Sequence, residues 1–214
     1  ELRHVRPESK VMQFLVPLAL EMGYRTSIQP ETASLEMNLP QSFETYLGML
    51  GKKERHEIRR KLRRLSGTTE PAFFYSDAGS ELQHKYLQSF LQLFSLNAGA
   101  KAGFMTPAMT RFFYGMAERM NRYGLIRFGC LEIEGREVAI ILVFDYNDTI
   151  YLYNSAFDPA YGGIGAGLNS KVLGIREAIK MRRGRWDFLK GEEVYKRHLG
   201  GRKVILSGVD IDLN

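Results

Sequence analysis

From residue 72 onward the period of the apolar positions changes several times, and each change marks an element. A-F-F-Y-S (72–76) is a short β-type run, and apolar residues then recur at helical spacing over about 80–96. A glycine-rich loop through Gly103 leads to Thr106-Pro107, which opens a second helix running to Arg122; proline suits a first helical turn, where its missing N–H removes no bond. Three β-type runs follow, at 125–133, 137–146 and 149–156. The turn pairs Glu134-Gly135 and Asn147-Asp148 stand between them, so an antiparallel meander is expected. A glycine-rich loop at 159–167, a helix over about 168–183, a strand at 186–189, a short helix near 192–199 and a strand at 203–206 complete the order β-α-α-β-β-β-α-β-α-β. Neither an internal repeat nor a low-complexity tract interrupts it.

Upstream the punctuation is denser. Residues 8–22 are expected as a helix kinked at Pro17, followed by extended pieces at 24–29 and 34–38 with Pro30 and Pro40 between and after them. Ser42 and Thr45 can cap a long helix that reaches Leu65 and ends at Ser66-Gly67. Residues 1–66 therefore appear as a helical lead-in and residues 67–214 as a domain.

Composition narrows the class. The chain has 214 residues, 44% of them hydrophobic, enough for one sizeable core. No apolar run approaches the roughly 20 residues of a bilayer-spanning helix. The chain opens on Glu1 without a basic-then-apolar signal layout, so a trimmed start and a cytoplasmic setting are expected. Cys130, the single cysteine, cannot form an internal disulfide and shares a strand face with Phe128, which points to burial rather than reactivity. His4, His56, His84 and His198 lack ligand spacing, so no metal site is expected.

The net charge of +6 is local: residues 52–65, K-K-E-R-H-E-I-R-R-K-L-R-R-L, hold eight Lys or Arg and two Glu, and the rest of the chain is balanced. Leu47, Leu50, Ile58, Leu62 and Leu65 form an apolar stripe on this segment, so one face docks and the other stays charged. That charged face is either simply solvated or a wall for an anionic ligand: phosphate, acidic lipid headgroups or nucleic acid.

Two segments carry candidate chemistry. In Y-G-G-I-G-A-G (161–167) a glycine-rich turn precedes a helix whose first N–H groups and dipole favour an anion. In W-D-F-L-K-G-E-E-V-Y-K-R-H (186–198), Asp187 sits on a short strand where a buried acid needs a partner such as Lys190, Lys196 or Arg197. Glu192 and Glu193 open a helix, where carboxylates cap. Tyr151 and Tyr153 share a face that either lines a groove or packs on a helix.

From about Leu39 onward the chain resembles the branch of the GNAT acyltransferase superfamily that includes cellulose-biosynthesis-type acetyltransferases and is similar to the Fem peptidoglycan aminoacyltransferases. L-P-Q-S-F-E-T-Y-L (39–47) with the basic helix, I-Y-L-Y-N-S-A-F-D-P (150–159) and above all D-F-L-K-G-E-E-V-Y-K-R-H (187–198) carry the resemblance. It implies an α+β GNAT fold, a mostly antiparallel sheet flanked by helices, and acyl-CoA, most simply acetyl-CoA, as donor. It also implies a pyrophosphate site at Gly163, Gly165, Gly167, Leu168 and Asn169, and oxyanion donors from the backbone around Asn154, Ser155, Ala156 and Phe157. Tyr195 takes the place of the acid for the leaving thiolate, and Lys196 resembles a lysine near the end of the Fem second half; beside the resemblance, Glu192 or Glu193 is either a helix cap or the general base for the amine, and Asp187 is either structurally paired or catalytic. The loop departs from the usual pattern, with Ala160 or Gly162 where a Gln or Arg is usual. Because the branch is usually tandem, residues 1–66 then include the tail of a preceding half, and a missing N-terminal half or a homo-oligomer is implied. The expected acceptor is an amine of a cell-envelope precursor, peptidoglycan or exopolysaccharide sugar included. The alternatives are a tRNA-borne aminoacyl donor and a non-catalytic interaction module.

Overall fold

The structure, a computed structural model of the chain, describes residues 1–96 and 105–213; the loop expected through Gly103 lies outside the described residues. In chain order the elements are β1 (Leu2–Val5), α1 (Val16–Glu21), β2 (Arg25–Asn38), α2 (Phe43–Met49), α3 (Lys52–Ser66), β3 (Ala72–Tyr75), α4 (Gln83–Ser95) and α5 (Pro107–Arg122). There follow β4 (Ile126–Ile133), β5 (Arg136–Tyr146), β6 (Thr149–Phe157), α6 (Ala166–Lys180), β7 (Arg185–Lys190), α7 (Val194–His198) and β8 (Arg202–Asp212). They divide into two compact units, Asn38–Asp187 and Glu1–Met37 with Phe188–Asn214.

The unit Asn38–Asp187 is built on the expected meander. Glu134 and Gly135 (φ 53° and 72°) and Asn147 and Asp148 (φ 48° and 60°) all adopt left-handed backbone, the geometry that lets a two-residue turn match the twist of its flanking strands. The strands run β7-β6-β5-β4-β3, antiparallel except for the parallel pair β6–β7. One face carries Phe128, Cys130, Ile140, Leu142 and Ala156 against Phe90, Phe94 and Phe113 of α4 and α5. The opposite face sets Leu131, Ile133 and Ala139 against Leu65 of α3 and Leu173 of α6. Period-2 alternation of apolar residues on both faces makes β5 almost continuously hydrophobic, as a strand covered on both sides must be. Gly174 marks the closest approach of α6 to the sheet: a Cβ there would lie 2.5 Å from Ile141 Cδ1 and 3.1 Å from a ring carbon of Trp186.

The caps follow the side-chain chemistry. Ser42 accepts the Thr45 amide at 3.1 Å and Thr106 accepts that of Met109 at 3.2 Å. The helix expected from Ser42 to Leu65 is two helices, because Leu50 and Gly51 are extended (ψ 154° at both) and re-aim the chain before α3.

In the unit Glu1–Met37 with Phe188–Asn214, β8 pairs antiparallel with β1 and with β2. The two extended pieces expected at 24–29 and 34–38 are one strand. Pro30 does not end it because the β2–β8 register slips between Pro30 and Thr32, at an irregularity where a residue without an N–H is tolerated. β8 correspondingly runs to Asp212, beyond the expected 203–206. The helix expected at 8–22 runs without a break from Lys10 to Glu21, as a π-type segment at Val11–Leu15 that continues into α1, and Pro17 stands directly after that irregular segment, where a residue without an N–H is tolerated.

Candidate functional site

β6 is irregular where the chemistry is expected. Its register with β5 runs Leu142↔Asn154 and then Val143↔Leu152, so Tyr153 is an extra, bulged residue. Its parallel pairing with β7 covers Thr149↔Arg185 to Tyr151↔Asp187. The Asp158 amide donates to Val138 O at 2.8 Å. Alternation along the strand then turns the amides of Ala156 and Asn154 toward β5 and those of Ser155 and Phe157 toward the opposite edge. The Ser155 amide donates there to Asn154 Oδ1, 2.7 Å away. Beyond its β7 pairing, β6 therefore turns the Ser155 and Phe157 amides to the edge away from β5, where that of Ser155 is held by its neighbour's side chain. The Tyr153 ring packs on Phe113 and Phe144, with centroids 6.2 and 5.2 Å away, and burial raises the pKa of its phenol.

The glycine turn is half closed and half open. Pro159–Ile164 forms a 3-10 turn capped by Asp158, whose Oδ1 accepts the Ala160 amide at 2.9 Å. Gly165 (φ 72°) needs the left-handed conformation that begins α6, and the Leu168 and Asn169 amides both fold onto its carbonyl. A Cβ on Gly165 would meet Lys61 Cδ at 2.9 Å, and one on Gly167 would meet the Phe157 ring at 2.8 Å. Gly162 and Gly163, by contrast, are exposed and face open space. Asn169 is fully buried, and its Nδ2 donates to Ile164 O (2.9 Å) and Lys61 O (3.2 Å), tying α3 to this turn. Its Oδ1 has no hydrogen-bond partner.

The candidates on 187–198 fall on both units. Asp187 is buried on β7, facing Tyr151 in register. Glu192 is an exposed carboxylate paired with Lys203 (2.7 Å) and Arg197, and its pKa is lowered, by Lys203 first. Tyr195 is half-buried on α7, where desolvation pushes its phenol up to about 12. Lys196 is 3% exposed; its ammonium donates to the carbonyls of Lys190 (2.7 Å), Leu189 (3.3 Å) and Gly191 (3.4 Å) and lies 2.9 Å from Glu193 Oε2.

One charged group escaped the sequence reading. Asp145, buried at the end of β5, pairs with Arg127 Nε at 2.9 Å and Arg183 Nε at 2.7 Å, and Arg127 also donates to Ser76 O. Only the D-x-x-turn end of a strand hinted at it, since its partners are 18 and 38 residues away. Cys130 is fully buried and its thiol is pushed well up by desolvation. No His, Cys, Asp or Glu group among the described residues could hold a metal ion, and no described helix is long and apolar enough to cross a membrane.

A bulged strand with donors on one edge, running through a glycine turn into a helix, is the arrangement of an acyl-coenzyme A transferase fold. The chain belongs to the acetyltransferase (GNAT) domain family, whose model matches residues 52–197. Among curated proteins none matches by sequence. In three dimensions the chain is similar to FemX, at TM-score 0.70 and 9% identity over 95% of this chain and 70% of that one. It is also similar to a conserved protein of unknown function from Bacteroides thetaiotaomicron, at TM-score 0.65 and 13% identity over 98% and 68% of the two chains. The C-terminal domain of a proposed lysylphosphatidylglycerol synthetase from Agrobacterium fabrum gives TM-score 0.60 and 10% identity over 98% and 66%. At these identities the likeness concerns the fold.

Proposed function

We propose that this GNAT domain transfers an acyl group, most simply acetyl, from acyl-CoA to an amine of a cell-envelope or exopolysaccharide precursor in the cytoplasm. The observation that carries the donor half of this reading is the bulge at Tyr153, with the Ser155 and Phe157 amides turned to the edge away from β5. In the reaction the amine attacks the thioester carbonyl, the C–N bond forms, the C–S bond breaks, and one proton leaves the amine while another reaches the thiolate. Edge amides of the kind at Ser155 and Phe157 would stabilise the oxyanion of the intermediate. Asn154 Oδ1 now accepts the Ser155 amide and would yield it to the acyl carbonyl. The open Gly162-Gly163 side of the turn would receive the pyrophosphate at the start of α6. The acceptor rests on the family resemblance alone.

The test is titration calorimetry with acetyl-CoA and CoA, followed by transfer assays on amino sugars and peptidoglycan precursors that read the released thiol. Saturable CoA binding with turnover on one amine class supports the reading. Absence of heat at millimolar CoA sinks it and leaves a non-catalytic module. A second reading, an aminoacyl-tRNA donor, is favoured by one observation: Lys52, Lys53, Arg63 and Arg64 on α3 are exposed and pair with no carboxylate among the described residues. Affinity for tRNA that falls steeply with salt would support it.

A further inference from the structure

We infer that the cleft between α3, α6 and β3, at the free corner of the sheet, binds a small amphipathic acid: an apolar body that carries a carboxylate or a phosphate. α3 and α6 pack on one face of the sheet, and β3 is its last strand, so no further strand lies under the two helices beyond it. That leaves an open cleft of about 330 Å3, the size of a small-ligand pocket. Its walls are apolar, from Leu65 of α3, Phe73 of β3, Leu131 of β4 and Leu173 of α6, and Arg63 and Arg176 line it as well. No Asp or Glu is among its lining residues, and all of it belongs to the unit Asn38–Asp187.

Two like charges beside one apolar cleft repel each other, and no lining carboxylate offsets them. Arg63 pairs with no carboxylate among the described residues. Arg176 meets Glu177, its neighbour in sequence, at 3.4 Å, but that carboxylate is held more closely by Lys180, at 2.8 Å. Helix dipoles account for one of the two arginines: Arg63 stands in the last turn of α3, where a cation is favoured, whereas Arg176 precedes the last turn of α6. Guanidinium groups recognise carboxylates and phosphates through paired N–H donors, and apolar walls beside them gain from being covered by a hydrocarbon body. The glycine turn is a different place, because Leu173 and Arg176 lie eight and eleven residues beyond Gly165, roughly 12–16 Å along α6 at about 1.5 Å per residue.

The experiment titrates the protein with octanoate and octyl phosphate, and with acetate and octanol as the head and the tail alone, by calorimetry and by ligand-dependent thermal shift. Saturable binding of octanoate or octyl phosphate at one site is expected, the tighter of the two identifying the head, while acetate and octanol should bind at least roughly tenfold more weakly. The double variant Arg63→Gln, Arg176→Gln should lose roughly tenfold in affinity for the octyl acid, the loss shrinking as salt rises. The double variant Arg63→Lys, Arg176→Lys should keep part of that affinity, and melts without ligand establish that both variants fold. Octanol binding as tightly as octanoate overturns the inference. So does unchanged octanoate binding by the glutamine variant, which would place the acid on another apolar surface, and so does the absence of both heat and thermal shift at millimolar octanoate and octyl phosphate. Displacement of the octyl acid by coenzyme A would merge the cleft with the donor site and overturn it as a separate one.

Discussion

The ammonium of Lys196 lies 2.7 Å from the carbonyl oxygen of Lys190, and that bond organises the end of the family segment. Leu189 (φ 59°) and Gly191 (φ 108°) both hold left-handed backbone, and the same ammonium receives their carbonyls as well. A buried cation with three carbonyls and the Glu193 carboxylate around it fixes this turn. Lys196→Met is expected to destabilise the protein by about 2–4 kcal/mol, since it removes a buried ammonium that three carbonyls and the Glu193 carboxylate share. Chemical denaturation measures this. If the midpoint does not move while turnover is lost, Lys196 serves the reaction directly and the turn does not need it.

Gly174 gives a second, purely steric expectation. Its missing Cβ lets α6 seat on Ile141 and Trp186, and Tyr75 Oη donates to its carbonyl at 3.2 Å. Gly174→Ala gains helix propensity but overpacks this contact, so a net loss of about 1–3 kcal/mol is expected. A thermal melt equal to or above wild type would show that the helix can shift outward without cost.

The meander and α6 were legible because local chemistry determines them: left-handed pairs such as Glu134-Gly135 and Asn147-Asp148 turn chains wherever they occur. Ser42 and Thr106 could be read as caps for the same reason. What stayed hidden depends on distant partners. Pro30 reads as a strand breaker until β8 offers a register slip to absorb it, and Lys196 reads as a partner for Asp187 or a cation for the reaction until the 189–191 carbonyls fold round it. The basic helix showed its charge but not its seat, because the contact of Lys61 with Gly165 joins residues more than a hundred positions apart.

Cys130 is a built-in reporter of opening. It is the only cysteine, it is fully buried among Phe128 and Ile140, and desolvation raises its thiol pKa, so little thiolate forms near neutral pH. The native protein should react with a thiol-specific disulfide reagent only at the rate of unfolding, and stoichiometrically in denaturant. Fast labelling of the native state at pH 7 would contradict the packing. Slow labelling also leaves the thiol-release assay for CoA free of background.

Tyr195 is the candidate acid, and its titration gives the most direct reading of its role. Desolvation, with a smaller contribution from Glu193, raises its pKa from 10 to about 12, so the phenol carries its proton across the whole working range and can give it to a leaving thiolate. An alkaline limb in kcat/KM below about pH 10 must then come from another group, and Tyr195→Phe should leave that limb in place while lowering kcat roughly a hundredfold. The linkage to stability has a definite sign. Because the folded pKa is the higher one, the contribution of Tyr195 to stability is fully present below pH 10 and is lost as the pH rises from 10 toward 12, where the unfolded chain releases the proton and the folded chain retains it. The stability difference between wild type and Tyr195→Phe should therefore be constant from pH 7 to about 9.5 and should move against the wild type above that. A kcat unchanged in Tyr195→Phe would remove the residue from the reaction, whatever its titration.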